Sequence, residues 1–367
     1  MKLLIQPGDG VSALVKAISS ATQSVDIAIF RFDRKEIERA MINAVNRGVR
    51  VRALIACANR GGEKRLRDLE ARLLEAGVTV ARTADDLVRY HAKYLIVDRL
   101  ELYVLAFNFT YIDIEQSRSF GVVTNDAATI KEAARLFEMD MTRQPYTAGL
   151  DSLVVSPSNA RHALGAFIRD ARKELYVYDP CIGDAAMIRA LEERRNNGVE
   201  VKVLGHVTRP SAKLDVAKLS DLRLHTRMIL RDRTHAFVGS QSLRTAELDR
   251  RREVGMIFED APIARSLRQT FLDDWRSAAL ARLEKDKRDG IPTNKVAKKV
   301  AKAVAKDLPS ITPMIETAIQ EIGAKGVEIA LQPEELEDSV KDAVKHAVKA
   351  AVKDAVLDTP ALQDKGQ

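Results

Sequence analysis

The sequence predicts an α/β protein that contains two copies of one structural unit, followed by a helical tail. The first observation behind this prediction is a motif, R-x-H-x-[KR]-x4-D, which occurs at residues 89–98 and again at residues 223–232. The second is that strand-like and helix-like segments alternate in both copies, and the third is a change of composition after residue 290. We therefore predict a first repeat over residues 1–145, a second repeat over residues 150–285 and a tail over residues 291–367.

The two copies align well beyond the motif. Residues 3–14, LLIQPGDGVSAL, match residues 153–164, LVVSPSNARHAL, at an offset of 150. From the motifs onward the offset is 134, since His91 aligns with His225. The difference is an insertion of 16 residues in the first copy, and the leucine spacing of residues 61–77 predicts that it forms one extra helix.

Local patterns predict the elements of the first copy in order. Residues 24–30, SVDIAIF, are typical of a strand, residues 35–48 of a helix and residues 49–55 of the next strand. This order predicts helices that cover a largely parallel sheet. Residues 91–97 and 102–108 are then expected to form two strands joined by a tight turn.

Composition and charge limit the class of protein. Hydrophobic residues make up 46% of the chain, which is typical of a globular protein. The net charge is +7, and the positive excess lies in residues 1–290, which carry +8. A basic surface suits anionic partners such as phosphodiesters, nucleic acid or an anionic membrane, although it also simply favours solubility. No apolar stretch is long enough for a membrane span, and Cys57 and Cys181 form no metal or disulfide pattern. We therefore expect a cytoplasmic protein, with peripheral membrane contact as an option.

The tail has two interpretations. Residues 339–356 place a valine at every fourth position beside a row of lysines, and no arginine or aromatic residue occurs after residue 290. We favour a solvated helical tail, because charged helix faces usually face water. The alternative is a helical arm that binds an anionic surface or another copy of the chain.

The motif residues suggest phosphodiester chemistry. If the motif lies on a strand, residues two apart share a face, so His91 lies beside Lys93 and His225 beside Arg227. A phosphodiester is an anion, and a nearby cation stabilises the further charge of its transition state. One histidine can attack phosphorus while the other protonates the leaving oxygen. Since one motif cannot occupy both sides of a phosphorus atom, two copies facing each other are expected to build one site.

Together these residues resemble the phospholipase D superfamily, whose motif is H-x-K-x4-D followed by G-S-x-N. The resemblance covers about residues 1–285. It implies two repeats with a mixed sheet flanked by helices, related by a pseudo-twofold axis and sharing one site within the chain. It also implies a phosphohistidine intermediate, with no metal or cofactor.

The resemblance assigns site residues one by one. It implies two catalytic sets and a group that supports the phosphate: His91, Lys93 and Asp98; His225, Arg227 and Asp232; and Asn108, Ser240, Ser242 and Glu253. Asp98 and Asp232 open probable turns, so their first role is expected to be structural. The chain departs from the family pattern at four places: Leu105-Ala106 replaces Gly-Ser, Ser242 replaces asparagine, Ser119 stands where the second copy has Glu253, and Arg227 replaces lysine.

Glu253 is also the basis for assigning the two histidines. If Glu253 bonds the histidine of its own copy, His225 is the better acid, because a carboxylate favours the protonated imidazole. His91, beside Lys93 and without a carboxylate, is then the better nucleophile.

The predicted function is a metal-independent phosphodiesterase that cleaves a phospholipid or a related diester. Transfer of a phosphatidyl group to an alcohol, as in cardiolipin synthases, would use the same two histidines. A nuclease of the same superfamily is the second class, although aromatic residues for base stacking make up only 5% of the chain. The third is a non-catalytic module that binds anionic lipid or nucleic acid, because the Lys-to-Arg exchange is compatible with a degenerate second motif.

Overall fold

A computed structural model describes residues 1–57 and 63–288, together with isolated positions between residues 301 and 351. The chain divides into two compact units, Met1–Arg276 and Ser277–Gln367. Both motifs lie in the first unit. The predicted helices of the tail lie almost entirely outside the described residues.

The first copy contains eight strands and five helices within the described residues. In chain order they are β1 (Lys2–Gln6), α1 (Ser12–Ser20), β2 (Ser24–Ile29), α2 (Lys35–Asn46), β3 (Arg50–Ile55), α3 (Glu63–Glu75), β4 (Thr79–Arg82), β5 (Arg89–Tyr90), β6 (Tyr94–Val97), β7 (Glu101–Leu105), α4 (Tyr111–Glu115), β8 (Ser117–Thr124) and α5 (Ala127–Thr142).

The second copy repeats this order without a counterpart of α3, so α3 is the predicted extra helix. Its elements are β9 (Leu153–Ser156), α6 (Ala160–Arg169), β10 (Glu174–Ile182), α7 (Ala185–Asn196), β11 (Glu200–Val207), β12 (Asp215–Ala217), β13 (Arg223–Leu224), β14 (Arg227–Arg231), β15 (His235–Gly239), α8 (Thr245–Asp249), β16 (Arg251–Glu259) and α9 (Ala261–Arg288).

Each copy builds its own mixed sheet. The strand orders are β1-β8-β7-β6-β2-β3-β4 and β12-β11-β10-β14-β15-β16-β5, with β13 beside β8 and β9 beside β16. In the first sheet β2, β3 and β4 run parallel, whereas β1, β8, β7, β6 and β2 pair antiparallel in succession. The mixed α/β class is confirmed. The expectation of a largely parallel sheet is wrong, because β6 and β7 are joined by a tight turn and such a turn makes antiparallel neighbours.

Each sheet is completed by a two-residue strand from the other copy. Strand β5 of the first copy pairs in parallel with β16 of the second, with Arg89 opposite Arg251. Strand β13 of the second copy pairs in parallel with β8 of the first, with Arg223 opposite Ser117. Both short strands end directly before a motif histidine, so each histidine is carried to the boundary between the copies.

Two ion pairs also cross this boundary in a reciprocal way. Arg252 Nε lies 3.1 Å from Asp140 Oδ1, and Arg118 Nε lies 2.7 Å from Asp274 Oδ2. Arg252 and Asp140 are both buried. Removing one partner of a buried pair leaves an uncompensated charge, so these contacts fix the alignment of the two copies.

Candidate active site

The two motif histidines lie in short links between sheets. His91 and Lys93 fall between β5 and β6, and His225 falls between β13 and β14. The predicted strand over residues 91–97 therefore begins only at Tyr94. The reason is that each link first pairs with the opposite copy: His91 N donates to Arg252 O at 2.7 Å, and His225 N donates to Arg118 O at 3.2 Å.

The cation of each motif is directed at the link that carries its histidine. Lys93 Nζ donates to the carbonyl oxygen of His91 at 2.6 Å, and Arg227 Nη1 donates to that of His225 at 2.6 Å. The Arg227 guanidinium also donates through Nε to Ser242 Oγ at 3.0 Å. Ser242 is shorter than the asparagine of the family pattern, so the second copy combines a longer cation with a shorter neighbour.

His91 is supported by a carboxylate from the other copy. Its Nδ1 lies 2.7 Å from Glu253 Oε2, and the Glu253 side chain is fully buried. The edge of the His91 ring also packs on Phe30, with the ring centroids 4.5 Å apart. The premise that Glu253 bonds the histidine of its own copy is therefore wrong. It fails because the exchanged strand β5 brings His91, and not His225, to β16.

His225 has different neighbours. Its Nδ1 lies 3.2 Å from Arg223 Nη2, and its Nε2 lies 3.2 Å from Asp113 Oδ2, a charge contact without hydrogen-bond alignment. Asp113 belongs to α4 of the first copy, so this carboxylate also crosses the boundary. Ser119, the counterpart of Glu253, has a buried hydroxyl that makes no hydrogen bond.

The supporting polar residues divide between the two histidines. Asn108 Nδ2 donates to Asp113 Oδ2 at 2.5 Å, and Asn108 therefore supports the carboxylate that faces His225. Ser240 Oγ bonds the backbone of Val254. Burial raises the pKa of Glu253, and Lys93 and the Ser240 hydroxyl oppose this effect.

The glycine of the G-S pair is required by close packing of β15 and β16. A Cβ on Gly239 would come within 2.6 Å of the Cα of Gly255, its partner in the ladder. In the first copy the corresponding pair is Leu105 and Gly121, and a Cβ on Gly121 would meet the Leu105 side chain at 2.7 Å. In the first copy the Leu105 side chain thus fills the space beside Gly121. This accounts for a leucine where the family pattern has glycine.

Asp98 and Asp232 lie at the far ends of β6 and β14 from the histidines. Each adopts a left-handed backbone conformation, with φ of 52° and 51°. Asp98 accepts from the backbone N–H groups of residues 22, 23 and 24, and Asp232 from those of residues 172, 173 and 174. These contacts fit the structural role expected for both residues and keep them away from the reacting groups.

The sequence comparison agrees with this architecture. The family described as "Cardiolipin synthase, PLD-like domain" matches residues 14–141 and 164–275. The chain belongs to this phospholipase D-like family. Members of the superfamily are enzymes that act on phosphodiesters, and the expected fold of two such repeats is confirmed.

Curated relatives of this phospholipase D-like chain include the mitochondrial cardiolipin hydrolases. The Homo sapiens protein is 31% identical over 136 residues, which cover 36% of this chain and 50% of the human protein. The Mus musculus protein is 30% identical over 131 residues, which cover 35% of this chain and 56% of the mouse protein. The chain therefore spans about half the length of the curated relatives that it matches.

Solved structures share the fold at low identity. Polyphosphate kinase from Porphyromonas gingivalis has a TM-score of 0.61 at 19% identity, covering 75% of this chain and 50% of that one. Phosphatidylserine synthase from Haemophilus influenzae Rd KW20 has a TM-score of 0.55 at 10% identity, covering 75% and 86%. At these identities the likeness establishes the phospholipase D-like fold alone.

The electrostatic field of the site is shared by both copies. Burial lowers the pKa of His91 well below its usual value, and Lys93 and Arg227 lower it further. Burial also lowers the pKa of His225, with Asp113 opposing and Arg227 and Lys93 adding to the effect. The cation of each phospholipase D-like motif therefore acts on the histidine of the other copy.

Two structural searches bear on metal and membrane binding. In the part of the chain that the structure describes, no three His, Cys, Asp or Glu side chains are grouped so as to hold a metal ion. Over the same residues, no helix combines the length and apolar character needed to cross a bilayer.

Two neighbours of the site carry no motif signal. Asp113 and Arg251 lie outside the R-x-H-x-[KR]-x4-D motif, and Asp113 lies in a helix of only five residues. Arg223, in contrast, is part of the repeated motif, since an arginine stands two residues before each histidine, at Arg89 and Arg223.

Proposed function

We propose that this chain is a phosphodiesterase that forms a covalent phosphohistidine at His91, with His225 as the proton donor. The observation that carries the proposal is the placement of two buried carboxylates, Glu253 at Nδ1 of His91 and Asp113 at Nε2 of His225. At His91 the neighbour is a carboxylate, Glu253 at 2.7 Å. A carboxylate accepts, so Nδ1 carries the proton and the lone pair of Nε2 is left for attack on phosphorus.

At His225 the contact has the opposite polarity. Arg223 is 3.2 Å from Nδ1, and a guanidinium can only donate. In the resting neutral ring the Nδ1 atom therefore accepts. A neutral imidazole is too weak an acid to protonate a leaving oxygen, so His225 donates from its imidazolium form, which the Asp113 carboxylate 3.2 Å from Nε2 favours.

The proposed reaction has two steps. His91 Nε2 attacks phosphorus, a P–N bond forms as the bond to the leaving oxygen breaks, and the Nε2 proton of the His225 imidazolium passes to that oxygen, which leaves a neutral ring. His225 then takes a proton from water or an alcohol, whose oxygen forms a new P–O bond as the P–N bond breaks. Lys93 and Arg227 stabilise the negative charge of both transition states.

We propose a phospholipid as the substrate class. Two comparisons support this choice: the matching family is described as cardiolipin synthase, and the curated relatives are called cardiolipin hydrolases. Hydrolysis is the leading reaction and transfer to an alcohol is the alternative outcome, since the acceptor changes neither histidine role. The basic site residues are also compatible with contact at an anionic membrane surface.

The substrate is tested with a panel of phosphodiesters at equal phosphate concentration. Vesicles of cardiolipin, phosphatidylglycerol or phosphatidylcholine, single-stranded DNA and bis-p-nitrophenyl phosphate are compared, with and without glycerol as acceptor. We expect release from at least one phospholipid, and a new phosphatidyl ester only if transfer occurs. Cleavage of DNA with no lipid turnover would establish the nuclease instead.

The intermediate is tested in the His225→Asn variant with bis-p-nitrophenyl phosphate, whose leaving group needs little protonation. The phosphorylated enzyme should accumulate, because the base for the second step is missing, and alkaline mass spectrometry should place the label on His91. His162→Asn is the matched control, since His162 is exposed on α6 and lies outside the motifs. Label on His225 in a His91→Asn variant would reverse the assignment.

A further inference from the structure

The support of His225 differs from that of His91 in a way that the motif does not predict. Residue 119 occupies the same place in the structure relative to His225 that residue 253 occupies relative to His91. The backbone contacts prove this equivalence: His225 N bonds Arg118 O, just as His91 N bonds Arg252 O. Yet the residue after Arg118 is a serine whose buried hydroxyl makes no hydrogen bond.

Asp113 lies where a carboxylate can compensate for that serine. Its Oδ2 is 3.2 Å from His225 Nε2, and its side chain is only 2% exposed. It is held in place by Arg223 Nη1 at 2.5 Å from Oδ1, and by the backbone and side-chain amides of Asn108 at 3.0 and 2.5 Å from Oδ2. The carboxylate is therefore fixed before any substrate arrives.

Arg223 links the same two residues. One guanidinium donates to Asp113 through Nη1 and to His225 through Nη2. Asp113 and Arg223 thus hold the imidazole at both nitrogen atoms. Glu253, in contrast, contacts His91 at Nδ1.

We propose that Asp113 is a positioning residue that keeps the Nε2 proton on His225, and so replaces the carboxylate missing at residue 119. The proposal rests on the role of His225 as proton donor given above. Asp113 acts through His225 and does not touch the phosphate.

The surrounding charges give the expected pH dependence. The groups that act on His225 are Asp113, which raises the pKa of the imidazole, and Arg227, Lys93 and Arg223, which lower it together with burial. Without the Asp113 carboxylate the pKa of His225 falls. Because a general acid is lost as pH rises through its pKa, the alkaline limb of the kcat profile should move to lower pH.

The activity test uses two substrates that differ in leaving group. Asp113→Asn should lower kcat about 10- to 100-fold for a phospholipid, similar to the loss when a group that orients a functional histidine is removed. It should affect bis-p-nitrophenyl phosphate much less, because that leaving group needs no proton. Glu115→Gln is the matched control, since Glu115 lies on the same helix and pairs with Arg34 instead.

Rescue separates positioning from a purely structural role. In the Asp113→Asn/Ser119→Glu variant the new carboxylate stands in the position that Glu253 has toward His91. We expect it to recover part of kcat and to return the alkaline limb toward the wild-type pH. Equal losses for both substrates, an unshifted limb and no recovery would overturn the proposal.

A measurement without turnover distinguishes this proposal from the proposed function. NMR titration of the imidazole nitrogens should show a lower pKa for His225 in Asp113→Asn, while that of His91 stays close to the wild type. If the wild-type chain cleaves no diester but this shift is found, the positioning role stands and the phosphodiesterase role falls. An unchanged His225 titration would overturn the positioning role whatever the activity.

Discussion

The two motifs of this chain share one backbone but differ in the polar groups around them. Both histidines follow a two-residue exchanged strand, and both cations donate to the carbonyl of their own histidine at 2.6 Å. Both motif aspartates bond three successive N–H groups at a turn. His91, however, meets a carboxylate at Nδ1, whereas His225 meets a guanidinium there.

This comparison separates what the motif determines from what it leaves open. The spacing of histidine, cation and aspartate fixes the link that carries the histidine, the strand that follows it and the turn at the aspartate. The proton position on each imidazole depends on residues outside the H-x-[KR]-x4-D spacing: Glu253 of the opposite copy at His91, and Arg223 of its own copy at His225. Two nearly identical motifs can therefore take two chemical roles.

The largest expected effect tests whether both motifs act in one reaction. His91→Ala and His225→Ala should each lower kcat by on the order of 10⁴-fold or more, and the double variant should be little worse, because groups that act as a unit are not additive. Initial rates on the best phosphodiester measure this, with circular dichroism to confirm folding. Near-normal activity in either single variant would mark that copy as a non-catalytic support.

The next effect tests the carboxylate of His91. Glu253→Gln should lower kcat about 100-fold or more, exceeding the loss in Asp113→Asn, because the contact is shorter and sets the tautomer of the nucleophile. The burst of p-nitrophenol should slow in the same proportion. The control on the same strand is Glu259→Gln, whose side chain is exposed. A smaller loss of kcat than in Asp113→Asn would mean that His225 depends more on Asp113 than His91 depends on Glu253.

A smaller effect sharpens the comparison of the two cations. Arg227→Lys should lower kcat by roughly 3- to 10-fold, since it loses the bond to Ser242, and Arg227→Lys/Ser242→Asn should recover activity by restoring the family pair. Lys93→Arg should be more harmful, because Lys93 is fully buried and a larger side chain overpacks its site. Steady-state kinetics of the Arg227 and Lys93 variants measure these losses of kcat. Equal losses in Arg227→Lys and Lys93→Arg would contradict the expected difference between the two cations.

The smallest expected effect concerns metal ions, whose removal should leave the activity unchanged. The proposed mechanism assigns attack, proton transfer and charge stabilisation to side chains of the two motifs. Excess EDTA should therefore leave the rate within error of the untreated enzyme. Complete loss of activity on chelation, with recovery when a divalent ion is added, would contradict the roles proposed for the residues of both copies.

Much of the fold could be predicted from the sequence because it is local. The offset of 150 that falls to 134 located the extra helix, and the motif spacing placed both turns at Asp98 and Asp232. The partner of Glu253 could not be predicted, because it depends on β5 pairing with a strand some 160 residues later in the chain. Asp113 was missed for a similar reason, since nothing in a five-residue helix indicates what it faces across the boundary.

The exchange of β5 and β13 bears on how such a chain diverges after duplication. In a symmetric dimer of one repeat, a serine at residue 119 would remove the carboxylate from both histidines at once. Within one chain the same change reaches only His225, and a change at Glu253 reaches only His91. Fusion therefore allows each half to alter its partner's histidine separately, and a substitution in one half is best interpreted by its effect on the histidine of the other.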